Sequence, residues 1–234
     1  MTKYIVLVLF LACCTHMLSQ TFISENFHNL DHWSELKFSS ISPSKYSIVK
    51  QNRKSYLKAK SNSSASGIIH EKVFNVYKYP NLEWRWKINN IFQRGNAFKK
   101  TGDDYPIRVF VMFEFNPEKA SFTQILKYKA IKAIHGRYPP HSTLSYIWAN
   151  RYHRTKVITS PYVDNIKMIV ASSGSKNAKT WVTKKVNLID DYKKAFSKKP
   201  PKRAKIAIMI DSDNTKEKGF SFVDYIKVYS VNKK

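Results

Sequence analysis

The chain has 234 residues, 43% of them hydrophobic and 14% aromatic, with 6 glycines and 9 prolines. This composition supports a substantial hydrophobic core and excludes a low-complexity or fibrous chain. The 41 Lys+Arg against 16 Asp+Glu give a formal net charge of +25, which favours contact with nucleic acid, lipid head groups or acidic glycans. The lysines are dispersed and do not form one block, so they also fit an ordinary solvated surface.

The first twenty residues have the pattern of a secretory signal peptide. Lys3 supplies the positive start, residues 4–14 form an apolar run, and small polar residues follow at Thr15 and Ser19. The run is short for a membrane span, and no other stretch approaches that length. We therefore expect residues 21–234 to form an exported domain, periplasmic or secreted, without a transmembrane segment. Both cysteines lie in the signal segment, so this domain would contain no disulfide and no cysteine-bound metal.

The rest of the chain has the pattern of short strands separated by turns. Strands are predicted at residues 46–50, 55–60, 68–76, 84–88, 107–115, 144–148, 157–160, 166–171, 181–188, 206–210 and 220–229. Both faces of the segment 107–115 carry bulky side chains, which is typical of a strand in the middle of a sheet.

Only two helices are predicted. Apolar residues at helical spacing indicate one over residues 122–134, stopped by Gly136, and Asp190 opens a short second helix that ends near Phe196. A parallel βαβ fold would need a helix after most strands. The sequence therefore predicts an all-β single domain with minor helices: a jelly-roll-type β-sandwich in which the first and last strands meet, with a helical insertion.

Several motifs, in their order along the chain, resemble the bacterial exported family known as domain of unknown function 3047. They are residues 84–87 (WRWK), 102–109 (GDDYPIRV), 144–149 (LSYIWA), Trp181, residues 190–192 (DDY) and 208–215 (IMIDSDNT). The motifs are specific in combination and cover most of the predicted domain. The resemblance implies an exported single domain, and the family name carries no activity. The heavy lysine load and the long helical insertion depart from an ordinary member.

Two acidic residues and an arginine lie close together at the predicted central strand, and they are the strongest candidates for a polar site. Asp103 and Asp104 precede the strand, and Arg108 lies within it. A buried arginine requires a carboxylate partner. The three residues therefore predict either an ion pair that holds the loop to the strand or a polar floor for a ligand.

A second acidic group follows the predicted buried strand 206–210. Asp211, Asp213 and Asn214 offer oxygen atoms that would suit calcium, although the helix–loop–helix calcium pattern is absent. A turn held by side-chain-to-backbone hydrogen bonds explains the same residues. Apart from calcium, no cofactor is expected. Trp148 lies either on a sheet face, where its ring could stack on a sugar, or in the core.

The sequence favours binding over catalysis. It contains no nucleophile elbow, phosphate loop or zinc helix, and no strand carries a pair of glycosidase carboxylates. We expect a protein that holds a glycan or other cell-envelope polymer on one sheet face, through Asp103, Asp104, Arg108, Trp148, Asp211 and Asp213. Two alternatives stay open: a polysaccharide lyase or hydrolase, and a non-specific binder of anionic polymers through the lysines. Specific nucleic-acid recognition is not expected, and the oligomeric state is left open.

Overall fold

A computed structural model describes residues 19–135 and 138–231. Two β-sheets make up this part of the chain and enclose the main core between them. The predicted all-β sandwich of the jelly-roll type is thereby confirmed. Neither helix in the described part has the length and apolar character needed to cross a membrane.

Fourteen strands and two α-helices lie in the described residues. The strands are β1 (Ser19–Glu25), β2 (Trp33–Lys37), β3 (Lys45–Gln51), β4 (Lys54–Asn62), β5 (Ala65–His70), β6 (Phe74–Asn75), β7 (Asn81–Ile88), β8 (Arg108–Phe113), β9 (Ser142–Ala149), β10 (Val157–Thr159), β11 (Ile166–Ser173), β12 (Val182–Asn187), β13 (Arg203–Asp211) and β14 (Lys218–Val231). The helices are α1 (Phe122–His135) and α2 (Leu188–Phe196). Both predicted helices are present, and the predicted stop at Gly136 lies outside the described residues.

The six-stranded sheet has the order β12-β7-β14-β4-β3, and β1 pairs with β14. The eight-stranded sheet has the order β10-β11-β9-β8-β13-β5-β2, and β6 pairs with β13. Among the described strands, the pair β9–β11 is parallel and the other pairs are antiparallel. Strand β8 is central, as its bulk on both faces predicts. The first and last described strands meet, as expected for a jelly roll.

The structure differs from the predicted strands in three places. Strand β1 was not predicted as a strand. Strand β2 was not predicted, because it lies at a sheet edge and alternates weakly between apolar and polar residues. The predicted strand 68–76 is divided into β5 and β6. Here the ring of His70 accepts a hydrogen bond from the Lys72 N–H at 3.1 Å, which turns the chain out of the sheet. The predicted signal peptide lies outside the described residues, apart from Ser19 and Gln20, which begin β1.

The core between the sheets is built from alternate residues of the central strands. Trp84 and Trp86 of β7 pack against Tyr146 and Trp148 of β9, with ring centroids 5.1 Å apart for Trp84 and Tyr146 and 5.8 Å apart for the other pair. All four side chains are fully buried. Burial of each large side chain stabilises the fold by about 1.5–3 kcal/mol. These contacts join the two sheets, because β7 belongs to the smaller sheet and β9 to the larger one. Strand β8 pairs with β9, so β7 and β8, which are neighbours in sequence, lie in opposite sheets.

The segment 89–107 connects these two sheets and covers part of the larger one. Its residues Ala97 and Tyr105 pack with Ile147 of β9 and Met168 of β11 in a second buried cluster. Ile147 alternates with the core residues of β9, so this cluster lies on the outer face of the eight-stranded sheet. The segment thus leaves the other half of that face, over β8, β13 and β5, uncovered by this cluster.

Candidate functional site

The outer face of the eight-stranded sheet carries the predicted acids and arginine. Along β8, Arg108 and Phe110 point to this face, because the residues between and beyond them enter the core. In the neighbouring strand β13, Met209 stands opposite Arg108, and Asp211 follows on the same face. The sheet register therefore brings the acidic end of β13 beside Arg108.

We call Asp103, Asp104, Arg108, Asp211 and Asp213 the polar cluster. At its centre, Arg108 donates from Nε to Asp211 Oδ1 at 3.1 Å and from Nη2 to Asp211 Oδ2. Its Nη2 also donates to the Asp103 carbonyl at 3.3 Å, and its Nη1 lies 3.6 Å from Asp103 Oδ2. The planar guanidinium thus makes a bidentate contact with the Asp211 carboxylate and also binds the loop that precedes β8.

The Asp104 side chain is held by neutral donors. Its carboxylate accepts hydrogen bonds from Asn214 Nδ2 at 3.0 Å and from the Thr215 N–H at 2.5 Å. Its carbonyl accepts a bond from Asn150 Nδ2 at 2.6 Å, and Asn150 Oδ1 accepts the Phe92 N–H at 2.8 Å. These bonds fix the loop before β8 to the turn after β13.

The polar cluster is almost entirely sealed from solvent. Asp103, Asp104, Arg108 and Asp211 are 5%, 0%, 7% and 1% exposed, and Asp213 is half-buried. Burial raises the pKa of the Asp103 carboxyl, and burial together with the charge of Asp104 raises the pKa of Asp213. A dissolved polymer has little access to groups enclosed in this way. The geometry favours the ion-pair alternative for Asp103 and Arg108 over a polar floor.

Trp148, the sixth predicted site residue, lies apart from the other five. It is fully buried in the core, and its Nε1–H donates to the Gly174 carbonyl at 3.0 Å. The ring therefore takes the core position that the sequence left open, and it cannot stack on a ligand at the surface. Of the six predicted residues, the structure brings together the four acids and the arginine.

An apolar groove of about 1010 Å³ continues the outer face beyond Arg108. Its floor consists of side chains from β5, β8 and β13 that share this face: Ile69, Phe110, Met112 and Met209. Residues 36–39 form one wall, and residues 113–115 and 138–140 contribute to the other. The Arg108 guanidinium carbon lies 5.7 Å from the Phe110 ring centroid, so the polar cluster adjoins the groove floor at Phe110.

Polar groups line the edge of the groove. Thr143 and Ser39 offer hydroxyls, and Lys205 offers an ammonium that has no carboxylate within 4.0 Å in the described part of the chain. Among the described lining residues, Glu114 is the one carboxylate, and it accepts a hydrogen bond from Arg203 Nε at 2.7 Å. The groove can therefore hold a ligand with apolar faces and hydroxyl or anionic groups.

The sequence analysis did not identify the groove residues. Phe110 and Met112 are visible as bulky residues on the second face of β8, but that pattern indicates only burial on both sides. Met209 lies on β13, which pairs with β8, and Ile69 lies on β5, which pairs with the far side of β13, so the sheet order sets both positions. Only the register of three strands shows that the four side chains form one floor.

Comparisons with known proteins identify a family and a fold similarity. The family model described as "Protein of unknown function (DUF3047)" matches residues 31–227. No curated protein sequence matches the chain. Among solved structures, the chain is similar to the Bauhinia forficata lectin in complex with GalNAc, at 9% identity and a TM-score of 0.40, with 93% of this chain and 100% of the lectin covered.

Two enzymes show a similarity of the same order. Endoglucanase 3 of Trichoderma harzianum, from family GH12, is 9% identical with a TM-score of 0.41, covering 93% of this chain and 99% of the enzyme. The enzymatically active domain of bacteriophage CBA120 tailspike protein 4 is 8% identical with a TM-score of 0.40, over 88% of this chain. This chain spans 20% of that tailspike chain. Similarities at these scores carry no argument about activity.

Proposed function

The chain belongs to the DUF3047 family, and from that premise we propose that it is an exported, non-catalytic protein that holds a glycan or other cell-envelope polymer in the groove. The observation that carries the proposal is the groove itself: about 1010 Å³ of space with an apolar floor and a polar edge. Ligand sites in proteins commonly have this size and this distribution of groups. The groove lies outside the polar cluster, and the residues that line it are not the six site residues that the sequence predicts.

The floor and the edge of the groove suit the two kinds of surface that a sugar presents. The Phe110 ring and the two methionine side chains provide apolar contact for the C–H face of a sugar ring. Thr143 and Ser39 supply hydroxyl groups for hydrogen bonds to sugar hydroxyls. Lys205 adds a positive charge, which favours glycans that carry carboxylate or phosphate groups.

The arrangement of acids supports binding over hydrolysis. Glycosidases place two carboxyl groups about 5–9.5 Å apart on either side of the scissile bond. The groove offers Glu114, which is paired with Arg203, and its described lining includes none of the acids of the polar cluster. Substrate held over Phe110 would therefore meet one carboxylate already engaged by an arginine.

A second candidate function is binding of anionic polymers on the outer face of the smaller sheet. There Lys58 Nζ lies 4.9 Å from the Phe220 ring centroid, and Lys87 Nζ lies 4.7 Å from the Trp181 ring and 4.9 Å from Phe222. Ammonium groups interleaved with aromatic rings can hold a polyanion without reading its sequence. This observation supports the lysine-based alternative, at a place opposite the groove.

Binding of purified protein to an array of neutral and acidic envelope glycans tests both candidates. We expect Phe110→Ala, and Phe38→Ala at the exposed groove wall, to weaken glycan binding at least tenfold. The pair Lys58→Ala and Lys87→Ala is the matched control on the opposite sheet and should leave that binding unchanged. If the control variants lose binding and affinity collapses with rising salt, the lysine face is the site and the groove proposal is overturned.

Two further measurements test the other parts of the proposal. Glycans incubated with the protein should yield no new reducing ends and no unsaturated sugars. Release of either product would establish a hydrolase or a lyase and overturn the non-catalytic assignment. N-terminal sequencing of protein recovered outside the cytoplasm should show loss of about the first twenty residues, and an intact Met1 in the cytoplasmic fraction alone would contradict export.

A further inference from the structure

We propose that the polar cluster binds one calcium ion, to which Asp104, Asp211 and Asp213 supply carboxylate oxygens. The calcium site is independent of the proposed function, because none of the three aspartates lines the groove in the described structure. The sequence alone suggested calcium ligands only in the turn after β13. The structure adds Asp104 from the loop before β8.

The three carboxylates are close enough to share one ion. One oxygen atom from each residue can be chosen such that all three atoms lie within 4.8 Å of one another. Two oxygens bound to the same Ca²⁺ at about 2.4 Å are separated by at most about 4.8 Å, so three oxygens this close together can share one Ca²⁺ ion. Calcium also tolerates irregular geometry, whereas Mg²⁺ demands a near-ideal octahedron.

The polar cluster holds four acidic side chains and a single cationic one. The guanidinium of Arg108 is engaged by Asp211 and Asp103, which leaves Asp104 and Asp213 without a cationic partner in the described structure. Within the described residues, no other lysine or arginine nitrogen lies within 4.0 Å of these carboxylates. Buried charges are normally paired or bound to a metal. An excess of buried negative charge is the more unusual in a chain with a net charge of +25.

Two buried oxygen atoms beside the carboxylates point independently to a ligand. Asp103 Oδ1 and Thr215 Oγ1 are buried and have no hydrogen-bond partner among the described residues. Thr215 is 2% exposed, and its own N–H binds the Asp104 carboxylate, so its hydroxyl lies beside that carboxylate. Asp103 approaches the same guanidinium as Asp211. A native fold seldom leaves such atoms unsatisfied unless a water or an ion completes them.

These groups provide the kind of coordination that calcium takes in proteins. Calcium binds six to eight oxygen ligands from carboxylates, carbonyls, hydroxyls and water. The three carboxylates and the Thr215 hydroxyl, whose own N–H binds Asp104, form an all-oxygen donor set that water can complete. Asp211 Oδ1 accepts both the Arg108 Nε–H and, at 3.2 Å, the Tyr105 N–H, so Asp211 Oδ2, which accepts from Arg108 Nη2, is the oxygen that keeps a lone pair for the ion.

Calcium titration of the full chain, freed of metal with EDTA and then dialysed, tests the proposal. We expect saturable binding of one Ca²⁺ by calorimetry, a rise in melting temperature with Ca²⁺ concentration, and at least tenfold weaker binding of Mg²⁺. Asp213→Asn should weaken Ca²⁺ binding at least tenfold. Asp213 is half-buried and has no arginine partner among the described residues, so this variant should still fold, which circular dichroism would check.

Two controls make the result decisive. Asp190→Asn removes an exposed carboxylate on α2 and should leave Ca²⁺ binding unchanged. Thr215→Val, which preserves the side-chain shape, should weaken binding without affecting Asp213. No calorimetric heat and no thermal shift at millimolar Ca²⁺ with folded protein would overturn the proposal, and so would equal affinity of the wild type and Asp213→Asn. Glycan binding in the groove could survive either outcome, so the two proposals fail separately.

Discussion

Arg108 and Asp211 lie 103 positions apart in the sequence and form a bidentate ion pair between the neighbouring strands β8 and β13. Both side chains are at least nine-tenths buried. The pair ties the loop that carries Asp103 and Asp104 to the end of β13. Its energetic role can be measured apart from any ligand.

Replacing Arg108 with Gln should destabilise the fold by about 3–5 kcal/mol, because Asp211 would keep a buried charge without its partner. The matched control is Arg203→Gln on the same strand as Asp211. The Arg203 side chain is 65% exposed and lies 2.7 Å from Glu114, so its loss should cost about 0–1 kcal/mol. Urea denaturation of both variants gives the comparison. Equal costs would show that the buried pair contributes no more than a surface pair.

A methyl group at Gly95 should destabilise the loop before β8 by about 1–3 kcal/mol, because it would overlap the Asn150 carboxamide. That carboxamide cannot move away freely, since it bonds to the Asp104 carbonyl at 2.6 Å and to the Phe92 N–H at 2.8 Å. A double-mutant cycle of Gly95→Ala with Asn150→Ala measures the coupling by denaturation. In the Asn150→Ala background the second change should cost clearly less, because the overlapping carboxamide atoms are gone and the Cβ atom at 3.0 Å remains. Additive effects would place the strain elsewhere.

The stability of the fold should fall as the pH drops below 6.5, through the buried ring of His70. Burial lowers the pKa of His70 below its ordinary value of 6.5, against the opposing charge of Glu25. The unfolded chain then binds a proton more readily than the folded one. The contribution of the neutral His70 ring to the free energy of unfolding is therefore complete above pH 6.5. It is lost as the pH falls from 6.5 towards the lowered pKa of His70 in the folded protein.

Denaturation of the wild type and His70→Gln between pH 5 and pH 8 measures this contribution. The variant should show a flatter dependence of the free energy of unfolding on pH. His28→Gln, at an exposed position, is the control and should follow the wild type. The edge-on contact of His70 with the Trp33 ring, at 5.0 Å, offers a local fluorescence signal for the same titration. Identical slopes for the wild type and His70→Gln would contradict the prediction.

Trp148→Phe should destabilise the fold by about 0.5–1.5 kcal/mol more than Trp84→Phe. Both rings are fully buried, so the loss of apolar contact is similar. The Trp148 Nε1–H donates to the Gly174 carbonyl at 3.0 Å, whereas the Trp84 Nε1–H has no partner in the described structure. Thermal and urea denaturation of the two variants give the difference. A larger cost at Trp84 would show that its indole nitrogen has a partner, such as water.

The sequence by itself determined the class of fold. Alternation with a period of two identified most strands, such as β7 with Trp84 and Trp86, and apolar spacing placed α1 to within a residue. These patterns are local, because a strand or helix exposes its faces at a fixed period regardless of what packs on them. The motifs shared with DUF3047 were also readable directly, since each occupies a few consecutive residues.

The tertiary structure alone decided which residues meet. Strands β7 and β8 follow each other in sequence but lie in opposite sheets, and β8 acquires its neighbours β9 and β13 through connections of different lengths. Alternation shows which face of its own strand a residue occupies, but the order and register of the strands decide which side chains share a surface. For that reason Ile69, Phe110 and Met209 form one groove floor, Asp104 lies beside Asp213, and Trp148 belongs to the core.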